Sequence, residues 1–185
     1  MRKNIGVKPW FYPLPVLIIA TYNEDGSTTA MNAAWGGLYD QSHVILCLSE
    51  NHKTVDNIKR NHGFTIGFAT SDTVVESDYL GLVSANQDLH KFDHTGMHSH
   101  VSPLVNAPII DEYPLVLECE LHTIQDDGHI IGTIKGINVD ETILDDDNKI
   151  DMIKFHPLSY EPSHNKYHAY GIKVADAFSV GNQLK

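Results

Sequence analysis

Ser49, Asn51, His52, Lys53 and Thr54 stand together immediately before Val55–Asn61, a short segment with helical patterning. Hydroxyls, an amide, an imidazole and an ammonium at the start of a helix can bind an anion, because the first amides are free and the helix dipole is positive there. The competing reading is ordinary capping, with Asn51 or Thr54 closing the helix and Lys53 solvated. A second stretch, Ser27-Thr28-Thr29-Ala30-Met31-Asn32-Ala33-Ala34-Trp35, is composed mostly of short side chains. On a strand, such residues let a flat ligand approach main-chain N–H and C=O groups, or simply pack beneath another element. A third group, His90, His94, His98 and His100, could in principle ligate zinc or nickel, with His94 and His98 on one helical face. Gly96 and Pro103 oppose such a helix, and no acid or thiol ligand is suitably spaced, so a lid or partner contact is expected there and no metal site.

The elements that must carry these groups are mostly strands. Pro15–Tyr22 is an apolar run, and Asn23-Glu24-Asp25-Gly26 is hairpin chemistry that returns it along Ser27–Trp35. His43–Ser49 is a third strand, Phe64–Ala69 a fourth, and Leu115–Ile124 pairs with His129–Val139 through Asp126-Asp127-Gly128. Between them fall the helix at Val55–Asn61, which Gly63 would end, and a second helix over Thr73–Leu82 with Ser71 and Asp72 as cap candidates. Ser84 to Asn106 has few apolar residues and reads as a long surface excursion carrying Lys91, Phe92 and the histidines. The acidic turn Asp145-Asp146-Asp147-Asn148 lacks the glycine and distal glutamate of a calcium loop. Six or so strands, few helices and hairpin connections imply a mainly β protein, a closed or nearly closed antiparallel barrel.

Composition narrows the function classes. A chain of 185 residues fits one domain, residues 1–185, with a core that needs no staples. A formal net charge of −11 argues against nucleic acid, which needs a basic face. The two cysteines, Cys47 and Cys119, sit in apolar strands as small hydrophobes, which makes a reducing cytoplasm the default location. Pro9, Pro13 and Pro15 break the N-terminal segment, and its apolar run is too short for a signal core or a membrane span. Trp10-Phe11-Tyr12 and the tail aromatics through Phe178 need a cover, for which a dimer partner is one candidate.

The order of these pieces resembles the flavin reductase-like proteins of flavoredoxin type. Those pieces are the Pro-x-Pro-Val strand, Thr29–Trp35, Ser49–Thr54 with Asn57-Ile58, Lys91-Phe92, Ala107-Pro108-Ile109-Ile110, Leu117-Glu118-Cys119 and His129 with Gly132. The resemblance spans Pro13 to about Phe178. It implies a six-stranded antiparallel Greek-key split β-barrel that binds FMN non-covalently, in a homodimer with the flavin near the subunit interface. Carried over residue by residue, Thr29, Ala30, Asn32, Ala33 and Trp35 would hold the isoalloxazine. Ser49, His52, Lys53 and Thr54 would take the phosphate, Lys91 would add a contact, and His129 would reach toward the flavin. His52 stands where relatives often carry arginine, so the phosphate loses a bidentate fork.

The resemblance implies an FMN-dependent oxidoreductase with NAD(P)H as a possible donor, and no general acid or base is required of the protein. A flavoredoxin-like electron carrier reduced by a protein or small-molecule redox partner is the alternative, because no Gly-rich dinucleotide turn is present. A barrel that binds a different ligand or a metal is the third reading.

Overall fold

The computed structural model describes residues 1–184. Its strands are β1 (Leu14–Pro15), β2 (Leu17–Tyr22), β3 (Thr28–Ala33), β4 (Gly36–Leu38), β5 (His43–Leu46), β6 (Gly63–Phe68), β7 (Ser99–Val101), β8 (Pro108–Ile110), β9 (Leu115–Ile124), β10 (Ile130–Val139), β11 (Leu158–Glu161) and β12 (Lys166–Ala169). Helix α1 (Lys53–Asn61) lies between β5 and β6, α2 (Val74–Leu82) follows β6, and α3 (Met152–Phe155) precedes β11.

Two tight turns set the main hairpins. Gly26 at φ +83 and Gly128 at φ +85 take the left-handed conformation that the β2–β3 and β9–β10 turns require. Asp25 Oδ1 accepts from the Ser27 amide at 2.9 Å and so fixes the register from Tyr22↔Thr28 to Leu17↔Ala33. The larger hairpin pairs antiparallel at nine residue pairs, with shifts after Ile131 and after Ile134 that bend it.

The main sheet runs β3-β2-β6-β9-β10-β5-β4, and its first and last members are one extended segment interrupted at Ala34 and Trp35. The sheet therefore curls until its two ends meet on the same stretch of chain. Counting β3 and β4 as one bent strand gives six strands, the antiparallel split barrel expected from the sequence. The Cys47 amide donates to Trp35 O at 2.8 Å and carries the pairing across the break.

Period-two alternation supplies a core on each face of this sheet. Inside lie Leu17, Ile19, Leu46, Phe64, Ile66 and Ile130, plugged by Val55 and Ile58 of α1. Outside, Ile18, Ala20 and Ala30 are covered by Leu80 of α2 and by Phe92, Ile109 and Ile110. Buried Asn57 fixes the roll of α1, since its amide donates to Thr21 Oγ1 at 3.1 Å and Asn23 Oδ1 at 3.0 Å while Arg60 donates to its oxygen at 2.9 Å. The helix start is aimed by that network.

The helix boundaries differ from the sequence expectation at both helices. α1 begins at Lys53, two residues before Val55, so Lys53 and Thr54 belong to its first turn. His62, not Gly63, ends α1 in the left-handed region at φ 55, and Gly63 already belongs to β6. Glycine is needed there for another reason: a Cβ would lie 2.9 Å from the Asn106 backbone nitrogen. The capping box ahead of α2 is formed by Thr70 and Thr73 in place of Ser71 and Asp72.

The excursion after α2 is more firmly anchored than its composition suggests. Lys91, Phe92 and Ser102 are buried. Ser102 Oγ donates to buried Glu118 Oε2 at 2.5 Å while accepting from the amides of Leu104 and Val105. Its histidines pair with separate carboxylates: His94 with Asp88 at 3.1 Å, His98 with Glu112 at 2.9 Å and His100 with Asp111 at 2.5 Å. Among the described residues no three His, Cys, Asp or Glu side chains converge on a metal position. None of the described helices is long and apolar enough to cross a membrane.

Candidate functional site

A groove of about 170 Å³ lies where the start of α1, the strand β3 and the end of α2 approach one another. Its walls are Met31 and Asn32 of β3, His52, Lys53 and Thr54 at the start of α1, Leu80–Ala85 at the end of α2, and Lys91. Small residues make this approach possible: a Cβ on Gly81 would stand 3.1 Å from the Asn32 Cβ. Asn32 Nδ2 donates to Ser77 O at 3.0 Å and locks α2 against the strand. β3 pairs with β2 alone, so its other edge keeps main-chain groups free for a ligand.

The start of α1 is shaped for an anion. His52 is the N-cap residue, in extended conformation, and its side chain makes no capping bond. The Val55 amide donates to His52 O at 2.9 Å, which leaves the Lys53 and Thr54 amides without a capping acceptor, and the positive end of the dipole opens into the groove. Lys53 Nζ stands 3.6 Å from exposed Glu24 Oε1, a loose pair that leaves the ammonium free to turn. Thr54 is buried in the wall.

Lys91 is buried, and its Nζ donates to Leu80 O at 2.7 Å and to Val83 O at 2.6 Å. These carbonyls close α2, where helical acceptors run out and a cation is favourable. Burial pulls the Lys91 ammonium down to about 8 from its usual range, opposed by the nearby Asp88 carboxylate. The charged form is thus held at neutral pH against a desolvation cost.

A second cavity of about 350 Å³ shares Asn32, Gly81 and Leu82 with the first and continues past Ala34 to Asp78, Tyr160, Asn165 and Tyr167. Tyr167 Oη donates to Asp78 Oδ1 at 2.8 Å; burial first, and that hydrogen bond second, push the phenol up to about 12. The combined groove is cationic at the α1 end and carries an acid and two phenols at the other. FMN fits this arrangement: a phosphate and ribityl chain suit the first cavity, and a flat ring suits the small-residue strand and the second. On β3 itself, buried Thr29 Oγ1 has no hydrogen-bond partner among the described residues.

Strand alternation divides the residues expected from the sequence. Asn32, His52, Lys53, Thr54 and Lys91 line the groove together. Ala30 is buried in the outer core, and Ala33 belongs to the inner core. Trp35, 56% exposed, lies against the N-terminal arm with Trp10, Phe11 and Cys47, bordering a separate cavity of about 610 Å³. Ser49 borders another cavity, which includes Asp127 and Gly128 of the β9–β10 turn. His129 follows that turn and pairs with Asp127 at 2.9 Å, away from the groove lining. The sequence reading missed the wall from Gly81 to Ala85. Its signal was the same small-residue pattern as in β3, here Gly81, Ser84 and Ala85 where a helix runs out.

Residues 11–168 match the family model described as "Flavin reductase like domain". Flavoredoxin of Desulfovibrio vulgaris (Miyazaki F) is 31% identical, with a TM-score of 0.94 over 98% of this chain and 100% of that one. A flavoredoxin from Methanosarcina acetivorans is 24% identical, with a TM-score of 0.87 over the whole of both chains. The uncharacterized protein YdfE of Bacillus subtilis (strain 168) is 24% identical over 198 residues, covering 95% of this chain and 93% of that protein.

Proposed function

We propose, for a chain that belongs to the flavin reductase-like family, that it binds FMN non-covalently in the groove between α1, β3 and α2 and acts as an NAD(P)H-dependent flavin reductase-like oxidoreductase. The observation that carries the binding assignment is the uncapped start of α1, with His52, Lys53 and Lys91 gathered around one groove. When bound, the flavin supplies the acceptor of hydride or electrons. The protein's part is to hold and orient it. Lys53, the first amides of α1 and the Thr54 hydroxyl take the phosphate, while the stretch from Ala30 in β3 to Ala34 just after it offers main-chain groups to the ring. Gly81 and Leu82 form the opposite wall. His52 adds an imidazole donor at the start of the helix.

The protein assembles as a homodimer in this account. Trp10, Phe11, Trp35, Leu38 and Tyr39 are exposed around the seam between β3 and β4, an apolar surface of the kind that pairs with a second copy.

The second reading is an electron carrier without its own nicotinamide activity. It is favoured by the similarity to the Desulfovibrio vulgaris flavoredoxin and by a sequence with no Gly-rich dinucleotide turn. One assay separates the two. FMN-loaded protein is expected to consume NADH or NADPH in steady state with free flavin as acceptor. No turnover with either nucleotide, together with rapid reduction by a reduced ferredoxin-type protein, would replace the reductase by the carrier.

A further inference from the structure

The buried ammonium of Lys91 has two of its three protons committed to α2, at Leu80 O and Val83 O, and it also lines the groove that α2 walls. We propose that Lys91 is a positioning residue which clasps the end of α2 to the anion subsite, so that binding a phosphate there takes up a proton on this side chain. The inference rests on the flavin reading, since FMN is the phosphate-bearing ligand.

The argument is one of donor counting. A charged Lys91 keeps both carbonyls capped and has one N–H left for the groove. A neutral amine keeps enough donors for the two carbonyls but has none for an anion, and its positive charge is gone. Deprotonation therefore leaves the Gly81–Ala85 wall in place while weakening the anion site. Removing the side chain loses both functions.

The charged groups around Lys91 are few. Asp88, on its own turn, raises its proton affinity. His52 and Lys53 face the groove from α1, α2 contributes only carbonyls, and β3 contributes the uncharged Met31 and Asn32. A bound dianion would outweigh the Lys53 ammonium at this position and favour the protonated amine. Because burial already lowers Lys91 to about 8, the linkage falls above the ordinary range of histidine side chains. A phosphate monoester is fully dianionic there, with its second pKa about 6, so the ligand does not obscure the effect.

The sign of the stability effect is opposite. A lysine lowered on folding binds fewer protons in the native state between about 8 and the unfolded value, so its contribution to apo stability rises with pH across that window. FMN affinity falls over the same window. A residue that was merely structural would not move the two in opposite directions.

The test is calorimetric titration of the whole protein with FMN and with riboflavin between pH 7 and 9, in buffers of different ionisation enthalpy, for wild type and for Lys91→Met and Lys91→Arg. In wild type, FMN affinity should fall by about fivefold from pH 8 to 9, with proton uptake rising from about a half towards one, while riboflavin affinity stays flat. Lys91→Met should bind FMN about 10 to 100 times more weakly with no uptake, as expected for a lost charge-assisted hydrogen bond. Lys91→Arg should recover affinity at pH 7 yet remove the pH dependence, because guanidinium does not titrate there. FMN binding with no proton uptake, or an unchanged affinity in Lys91→Met, would overturn the inference and leave the flavin reading standing. Binding of neither flavin would overturn both.

Discussion

Lys53→Glu is expected to raise the Kd for FMN by about 100-fold while changing that for riboflavin by less than about threefold. Lys53 opens α1, and its ammonium reaches no closer than 3.6 Å to Glu24, so it is available to an anion at the uncapped helix start. A hydrogen bond to a charged partner contributes about 1.5–3 kcal/mol, and a glutamate in its place adds repulsion of a dianion. At 1.4 kcal/mol for each factor of ten, about 3 kcal/mol gives the stated change. Riboflavin carries no phosphate and keeps its contacts with β3 and α2. The fold should tolerate the substitution, because the pair with Glu24 is loose and its carboxylate partner is exposed, and such pairs contribute about 0–1 kcal/mol. Fluorescence titration with both flavins decides the matter; equal losses for the two would remove the phosphate from the start of α1.

The largest effect on the barrel itself is expected at Gly132. A Cβ there would penetrate the ring of Phe64 at Cζ and stand 2.9 Å from Cε1, and Phe64 is fully buried in the inner core. The glycine sits at the register shift between Ile131 and Gly132, where β10 bends between β9 and β5. Neither side can yield without moving the core. Overpacking of this kind costs about 1–3 kcal/mol, and Gly132→Ala should sit at the upper end, read as a lower urea midpoint with an unchanged slope. Adding Phe64→Leu should return part of the loss by vacating the ring volume. A double variant whose loss equals the sum of the two single losses would show that the contact is not the cause.

Both effects depend on distances that periodicity does not report. Asp25-Gly26 and Asp127-Gly128 announce their hairpins through turn chemistry that acts locally, and the apolar run of Leu17–Tyr22 announces a strand buried on both faces. For the same reason the grouping at the start of α1 was readable: hydroxyl, imidazole and ammonium groups meet a helix end within a few residues. What the sequence could not order was the set of contacts made by β3. Alternate side chains on one strand point to opposite faces, so Ala30 and Asn32 face α2 while Ala33 enters the barrel. Trp35 lies in the bend that joins β3 to β4, a consequence of barrel closure between residues distant along the chain. The Gly81–Ala85 wall and the double role of Lys91 arise from α2 folding back over β3, a tertiary event with no periodic trace. Likewise the histidines of the excursion looked like a cluster because they are close in sequence, but His94, His98 and His100 take separate carboxylate partners.

The central claim is the place of the flavin, and amide chemical shifts of labelled protein during FMN titration test it most directly. The expected result is saturable change centred on Asn32, Lys53, Thr54 and Gly81–Ala85, with the Lys53 and Thr54 changes absent when riboflavin replaces FMN. Changes confined to Trp10, Trp35 and Cys47, or to the His129 turn, would contradict the account and move the flavin to another face of the barrel.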